Sequence, residues 1–207
     1  PFNFPAMIPL WMFPLALAAG NTFVLKPSER VPSTAQRLVE LMEEAGSPPG
    51  AVNIVHGAVD TVNFMCDEPR IKALSFVGSN QAGEHIYRRG SAAGKRVQCN
   101  MAAKNHAVVL PDADKQHVVN AIVGAAFGAA GQRCMALSTL VLVGQSKQWL
   151  PDIVAKARAL VVGAGADAAS EVGPLISSTA KARVEGLIQS AIDEGAAVLL
   201  DGRGVQV

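Results

Sequence analysis

The sequence predicts an α/β fold of parallel sheets with flanking helices. Two observations carry that reading. Short runs rich in Val, Ile and Leu alternate with longer amphipathic segments along the 207 residues, the order in which crossover helices join parallel strands. Half of the residues are hydrophobic but only 5% are aromatic, so the core is built mainly from Ala, Val, Leu and Ile.

The elements follow in chain order. Residues 6–20 are uncharged and read as a buried helix. Pro5, Pro9 and Pro14 interrupt this apolar run and Gly20-Asn21 ends it, short of the roughly 20 apolar residues that a membrane span needs. No Lys or Arg precedes Lys26, whereas a signal peptide opens on positive charge. The chain starts inside the run without Met, which reads as a piece of a longer protein. Residues 22–26 form a short strand. Residues 33–45 set Ala35, Leu38, Val39, Met42 and Ala45 on one face, with Glu40, Glu43 and Glu44 mostly outside and Gly46 closing the helix. A strand at 51–55, a short helix at 59–66 and a strand at 71–77 come next. A helix at 81–89 should end at Gly90. Strands at 96–99 and 107–110 lead into an apolar helix over 118–130. A strand at 140–143 precedes amphipathic helices at 147–160 and 178–194, with 163–169 as a surface loop and 198–200 as strand-like.

The 18 basic and 17 acidic residues nearly cancel and form no basic block, so a nucleic-acid partner finds no support. Cys66, Cys99 and Cys134 form no CxxC, and His56, His85, His106 and His117 are scattered. No metal site is expected, and three unpaired thiols suit a reducing compartment.

The residue best placed for chemistry is Cys134, in the run Ala130-Gly-Gln-Arg-Cys-Met-Ala136. It follows a glycine turn and sits beside Arg133, whose charge favours the nucleophilic thiolate. A buried structural thiol is the plain alternative. In open parallel sheets, ligands gather at the carboxyl ends of strands. One such end carries Lys26-Pro-Ser-Glu-Arg30. There Glu29 could accept hydrogen bonds from a ribose diol while Lys26 reaches ribose or phosphate. A carboxylate at that place repels a 2′-phosphate, which favours NAD over NADP. Another end carries Phe76-Val-Gly-Ser79 and opens a helix, whose N-terminus is suited to phosphate. A solvated charged turn and a simple helix cap are the alternatives for these two segments. No G-x-G-x-x-G is present.

Taken in order, Pro1-Phe-Asn-Phe-Pro5, Gly20-Asn-Thr-Phe-Val-Leu-Lys-Pro-Ser-Glu29, Phe76-Val-Gly-Ser79 and Gly131-Gln-Arg-Cys134 resemble the aldehyde dehydrogenase superfamily along the whole chain. The resemblance implies an aldehyde dehydrogenase-like fold with parts of two Rossmann-like domains. Residues 1–100 would be the later part of an NAD-binding domain and 101–207 the first part of a catalytic domain. It implies that Cys134 forms a thiohemiacetal with the aldehyde and, after hydride transfer to NAD, a thioacyl enzyme. Asn3 and the Cys134 N–H would bind the oxyanion. Phe2, Lys26, Glu29, Arg30, Gly78 and Ser79 would line the cofactor. Arg133 would bind a substrate carboxylate through paired hydrogen bonds, or else only tune the thiol or pair with a nearby acid.

One departure narrows the resemblance. The usual Glu-Leu-Gly-Gly-Lys segment reads Asn100-Met-Ala-Ala-Lys104 here, and an amide cannot serve as the base that activates water. The thiol of coenzyme A would then take the acyl group. With Asn105-His106 and Arg-Cys-Met-Ala, this is similar to the CoA-acylating methylmalonate-semialdehyde dehydrogenase branch of valine and pyrimidine catabolism. Its members convert methylmalonate or malonate semialdehyde to propionyl-CoA or acetyl-CoA with loss of CO2. Ala102 and Ala103 replace the usual glycines and would be strained at positive φ. A hydrolytic NAD-dependent aldehyde dehydrogenase and a non-catalytic nucleotide-binding fragment are the alternatives. The resemblance further implies a homo-oligomer (dimer or tetramer) with a small-molecule semialdehyde as substrate and no membrane partner. The compartment would be the mitochondrial matrix for a eukaryotic member and the cytoplasm for a bacterial one.

Overall fold

Every strand pair in the computed structural model is parallel, and each pair is joined by a helix. The structure describes residues 1–205 and 207 and divides into two units, Pro1–Ala102 and Ala103–Val207. The first unit runs α1 (Met7–Ala18), β1 (Phe23–Leu25), α2 (Ser33–Glu44), β2 (Val52–Ile54), α3 (Val59–Asp67), β3 (Ala73–Val77), α4 (Asn80–Ala92) and β4 (Arg96–Asn100). The second runs β5 (Asn105–Val109), α5 (Lys115–Phe127), β6 (Leu137–Leu142), α6 (Leu150–Arg158) and α7 (Ser178–Asp193). Among the described residues the strands form three separate pairs, β1–β2, β3–β4 and β5–β6, each parallel as the alternation of strands and helices suggested.

The first core is the one that the period of α2 foretells. Ala35 and Val39 on its inner face pack with Phe13, Leu25 and Val52. The Phe13 ring meets Phe23 edge-on, with centroids 6.4 Å apart, a favourable aromatic geometry. Helix α1 continues through Pro14, which lies on its exposed side. Among the described residues no helix is long and apolar enough to cross a membrane. In the second unit Val119 and Val123 of α5 pack with Ile153 of α6.

Several boundaries differ from the sequence reading, each for a physical reason. Helix α4 runs past Gly90 to Ala92 because Gly90 is a packing residue and not a stop. A Cβ there would come within 2.6 Å of Leu74 and 2.9 Å of Val97, so the missing side chain lets α4 lie close on β3 and β4. Asp114 caps α5 by accepting the His117 N–H at 2.6 Å, which moves that helix start back from 118 to 115. Residues 144–149 form a tight 3₁₀ turn, and α6 begins at Leu150 with Pro151 in its first turn, where the missing N–H costs nothing. Residues 198–200 are not a strand, and Val198 and Leu199 are exposed. Ala102 and Ala103 escape the strain anticipated for them: the only described non-glycine residues at positive φ are Ala129 and Ala130.

Candidate active site

Cys134 sits in the connection between α5 and β6, and that connection has unusual backbone. Ala129 (φ 52°, ψ 36°) and Ala130 (φ 54°, ψ 35°) are left-handed, and Gly131 follows at φ 72°. A residue with a Cβ loses about 1–2 kcal/mol in this region, so something must hold the two alanines there. Gln132 does so. Its backbone N–H donates to the Ala129 carbonyl at 3.0 Å and its side-chain Nε2 donates to the same oxygen at 3.2 Å. The carboxamide also reaches the segment before α7, donating to the Pro174 carbonyl at 3.4 Å and accepting from the Ile176 N–H at 3.0 Å.

The next turn carries the thiol. The Ala136 N–H donates to the Arg133 carbonyl at 3.0 Å, which places Cys134 at the second position of a closed four-residue turn. Cys134 is half-buried and Met135 is exposed. Asn105, at the start of β5, donates its Nδ2 hydrogens to the Cys134 and Ala136 carbonyls at 2.8 and 2.9 Å. The Arg133 guanidinium turns back over the end of α5. Its Nη1 approaches the Gly124 carbonyl at 3.5 Å, a long contact, and the group covers Gly128. A cation is favoured at a helix C-terminus.

The other two thiols are poor candidates for nucleophilic work. Burial pushes Cys66 up, helped by Asp67, and burial alone pushes Cys99 up. A raised thiol has less thiolate near neutral pH.

The remaining candidates lie in the first unit, at the carboxyl ends of strands. Lys26 follows β1, and its Nζ donates to the Pro27 carbonyl at 2.6 Å and to the Gly57 carbonyl, beyond β2, at 2.8 Å. The carboxylate of Glu29 lies 3.4 Å from that ammonium and is exposed. Its own backbone N–H and then Lys26 hold the Glu29 carboxyl below the usual carboxylate range. Arg30 is exposed beside it, with its N–H donating to Ser28 Oγ at 3.3 Å. Pro1 lies within electrostatic range of Lys26 and Glu29, so the segment carrying Phe2 and Asn3 starts near these charges. Phe2 and Asn3 are both half-buried. At the end of β3, Ser79 caps α4 by accepting the Ala82 N–H at 3.3 Å. The Gly78 N–H donates to the Asn100 carbonyl at 3.0 Å, which ties the ends of β3 and β4 together. The Ala102 N–H in turn donates to Asn80 Oδ1 at 3.0 Å. Asn100 is thus exposed on the same strand edge as Gly78 and Ser79.

The structure therefore gathers Arg133 and Cys134 in the second unit, and Lys26, Glu29 and Arg30 around one strand end of the first. Gly78, Ser79 and Asn100 share another. Sequence reasoning missed the roles of Gln132 and Asn105. Both lie in segments it quoted, but apart from the Gln132 bonds to Ala129 the partners named above are 29 to 44 residues away, a pairing that no local pattern encodes. Among the described residues no group of His, Cys, Asp and Glu is placed to hold a metal ion.

Comparison with known proteins establishes the family. The model of the aldehyde dehydrogenase family matches residues 1–207. The chain belongs to this family. It is 61% identical over 207 residues to the human protein named methylmalonate-semialdehyde/malonate-semialdehyde dehydrogenase [acylating], mitochondrial, covering 100% of this chain and 39% of that one. A solved methylmalonate-semialdehyde dehydrogenase of Oceanimonas doudoroffii superimposes with a TM-score of 0.95 at 47% identity, over 99% of this chain and 42% of that one. A Sinorhizobium meliloti protein assigned as methylmalonate-semialdehyde dehydrogenase and solved with NAD gives 0.96 at 44% identity, over 100% and 43%. As an aldehyde dehydrogenase family member, the chain has an α/β, Rossmann-like architecture. It spans about two fifths of the length of the curated relatives it matches.

Proposed function

We propose that this chain carries the nucleophile and much of the cofactor contact surface of an NAD-dependent, CoA-acylating methylmalonate-semialdehyde/malonate-semialdehyde dehydrogenase. In this reading residues 1–100 belong to the NAD-binding domain and 101–207 to the catalytic domain, a boundary supported by the division into units at Ala102 and Ala103. The observation that carries the CoA assignment is Asn100, an amide at the strand end where hydrolytic members are expected to hold a carboxylate base. The names of the 61%-identical mammalian relatives support the same choice.

Each residue then has a task. Cys134 adds to the aldehyde carbon and forms a thiohemiacetal. Asn3 and the Cys134 N–H donate to the oxygen as it gains charge, a contact worth about 3 kcal/mol in such sites. Arg133 pairs with the carboxylate of the semialdehyde. The residues present suit NAD. Glu29 is an exposed carboxylate able to accept from a diol, Lys26 is an ammonium held at a strand end, and Ser79 opens a helix beside a residue without a side chain. Phe2 and Arg30 would complete the lining. The chemistry that NAD supplies when bound is acceptance of the hydride, which leaves a thioacyl group on Cys134. Asn100 cannot take a proton from water near neutral pH, so the acyl group waits for the CoA thiol and leaves as a thioester. CO2 is lost from the substrate carboxylate, its bonding pair passes to the α-carbon as a thioester enolate, and a proton from water completes propionyl-CoA or acetyl-CoA. The same reading assigns the protein to the mitochondrial matrix and to a homo-oligomer, a dimer or tetramer.

The test is turnover with and without CoA, on the protein at its natural length. Mixing enzyme, NAD and malonate semialdehyde without CoA should give a burst of NADH near one equivalent per site and then a slow phase. CoA should restore turnover. Rapid CoA-free turnover yielding a free acid would overturn the acylating assignment in favour of hydrolysis.

A further inference from the structure

We infer that Asn105 is a positioning residue for the nucleophile, its carboxamide fixing the main chain of Cys134 as the thiol attacks; this rests on the reading of Cys134 given above. The β5–β6 ladder stops at Asn105 opposite Leu137, and its register slips between Asn105 and His106. Beyond Leu137 the chain turns away toward the thiol, so the Cys134 and Ala136 carbonyls have no partner strand. Asn105 replaces it. One nitrogen with two hydrogens serves both oxygens, at 2.8 and 2.9 Å. Together with the Ala136 N–H to Arg133 carbonyl bond at 3.0 Å, this fixes the peptide planes that follow Cys134 and closes the turn that precedes them.

The residue type is specific to the task. Only a carboxamide offers two donors on one uncharged nitrogen. Serine and threonine offer one hydrogen, and an ionised aspartate offers none and would set its oxygens against two carbonyl oxygens. A reacting group misplaced by about 1 Å costs about a hundredfold in rate, and sites of this kind hold their geometry to within about 0.5 Å through such supporting bonds. Among the described residues the Asn105 side chain donates to the Cys134 and Ala136 carbonyls and to none of the cofactor-lining residues. Its loss should therefore appear in the chemical step and not in binding.

The test uses the protein at its natural length, with sites counted by NAD-binding stoichiometry so that misfolded protein does not enter the rate. Asn105→Ala should lower kcat per site about 10- to 100-fold, with KM for the semialdehyde and Kd for NAD within threefold. Asn105→Asp should fall further, and Asn105→Ser, which keeps one donor, should lie between Asn105→Ala and the wild type. Asn105→Ser carries the test if the alanine variant does not fold. Amide exchange over residues 132–137 should speed at least tenfold in Asn105→Ala, with the peptides of α5 unchanged. Unchanged exchange, or a kcat within threefold of wild type in both Ala and Ser variants, overturns the positioning role. A wild type that oxidises no aldehyde overturns the reading of Cys134 instead, and the exchange result still decides whether Asn105 holds the turn.

Discussion

Gly78-Ser79 and Ala129–Cys134 both join a strand to a helix and both carry residues proposed for function, yet they are built in opposite ways. The first is relaxed. Ser79 has extended backbone (φ −72°, ψ 156°) and its hydroxyl caps α4 in the usual manner. The second forces two alanines into the left-handed region and is held there by side chains, Gln132 on the near side and Asn105 on the far side. Strained backbone persists only where its surroundings over-determine it. The contrast follows from what each turn must do. A phosphate or hydroxyl can be met by any of several donors at a helix start. A thiol must approach one carbon along one direction, and a loose turn would forfeit that alignment.

The largest effect should come from removing the atom that the second turn presents. Cys134→Ala is expected to abolish aldehyde oxidation while NAD affinity, measured by fluorescence titration, stays within about twofold. Substantial NADH formation by this variant would break the division of labour between the two turns. Arg133→Leu should come next. Losing a charge-assisted contact costs about 1.5–3 kcal/mol, so KM for carboxylated aldehydes should rise by one to two decades while KM for propanal stays near wild type. Equal losses on both substrates would mean that Arg133 acts on the thiol alone.

Two smaller effects sharpen the comparison through stability. Ser79→Ala should lose about 1 kcal/mol in urea unfolding, the ordinary cost of a helix cap. Ala129→Gly should do the reverse of what alanine-to-glycine changes usually do. Relief of about 1–2 kcal/mol of left-handed strain outweighs the 0.5–1 kcal/mol of extra chain entropy that glycine roughly costs. The variant should gain up to about 1.5 kcal/mol, and a clear loss would show that the turn is not strained.

Much of this was legible in the sequence, and the limits have physical causes. Periodicity located α2 because its inner residues, Ala35 and Val39, are the ones buried. It placed the end of α4 wrongly because Gly90 resembles a stop signal, whereas its function is close approach to Leu74 and Val97. The same applies to backbone strain. Replaced glycines drew suspicion to Ala102 and Ala103, while the left-handed residues are Ala129 and Ala130, which look like the tail of an apolar helix. Local composition cannot disclose a conformation enforced by Gln132 and a distant loop. Candidate residues such as Lys26, Ser79 and Cys134 stood out through charge and turn chemistry. Asn105 did not show its role, because that role depends on where a strand ladder runs out.

Gly128 offers a last consequence. Its backbone (φ −54°, ψ 135°) is open to any residue, so no rule of chain geometry demands glycine there. What a side chain would meet is the Arg133 guanidinium, with Cζ at 2.5 Å and Nη1 at 2.6 Å from a built Cβ. The arginine lies in the space that a Cβ at residue 128 would take. A single Gly128→Ala change would evict the guanidinium from the end of α5 while leaving every charged residue in place. On the proposed role of Arg133, preference for acidic over neutral aldehydes would thus be retuned from beneath the guanidinium, by crowding it instead of replacing a charge.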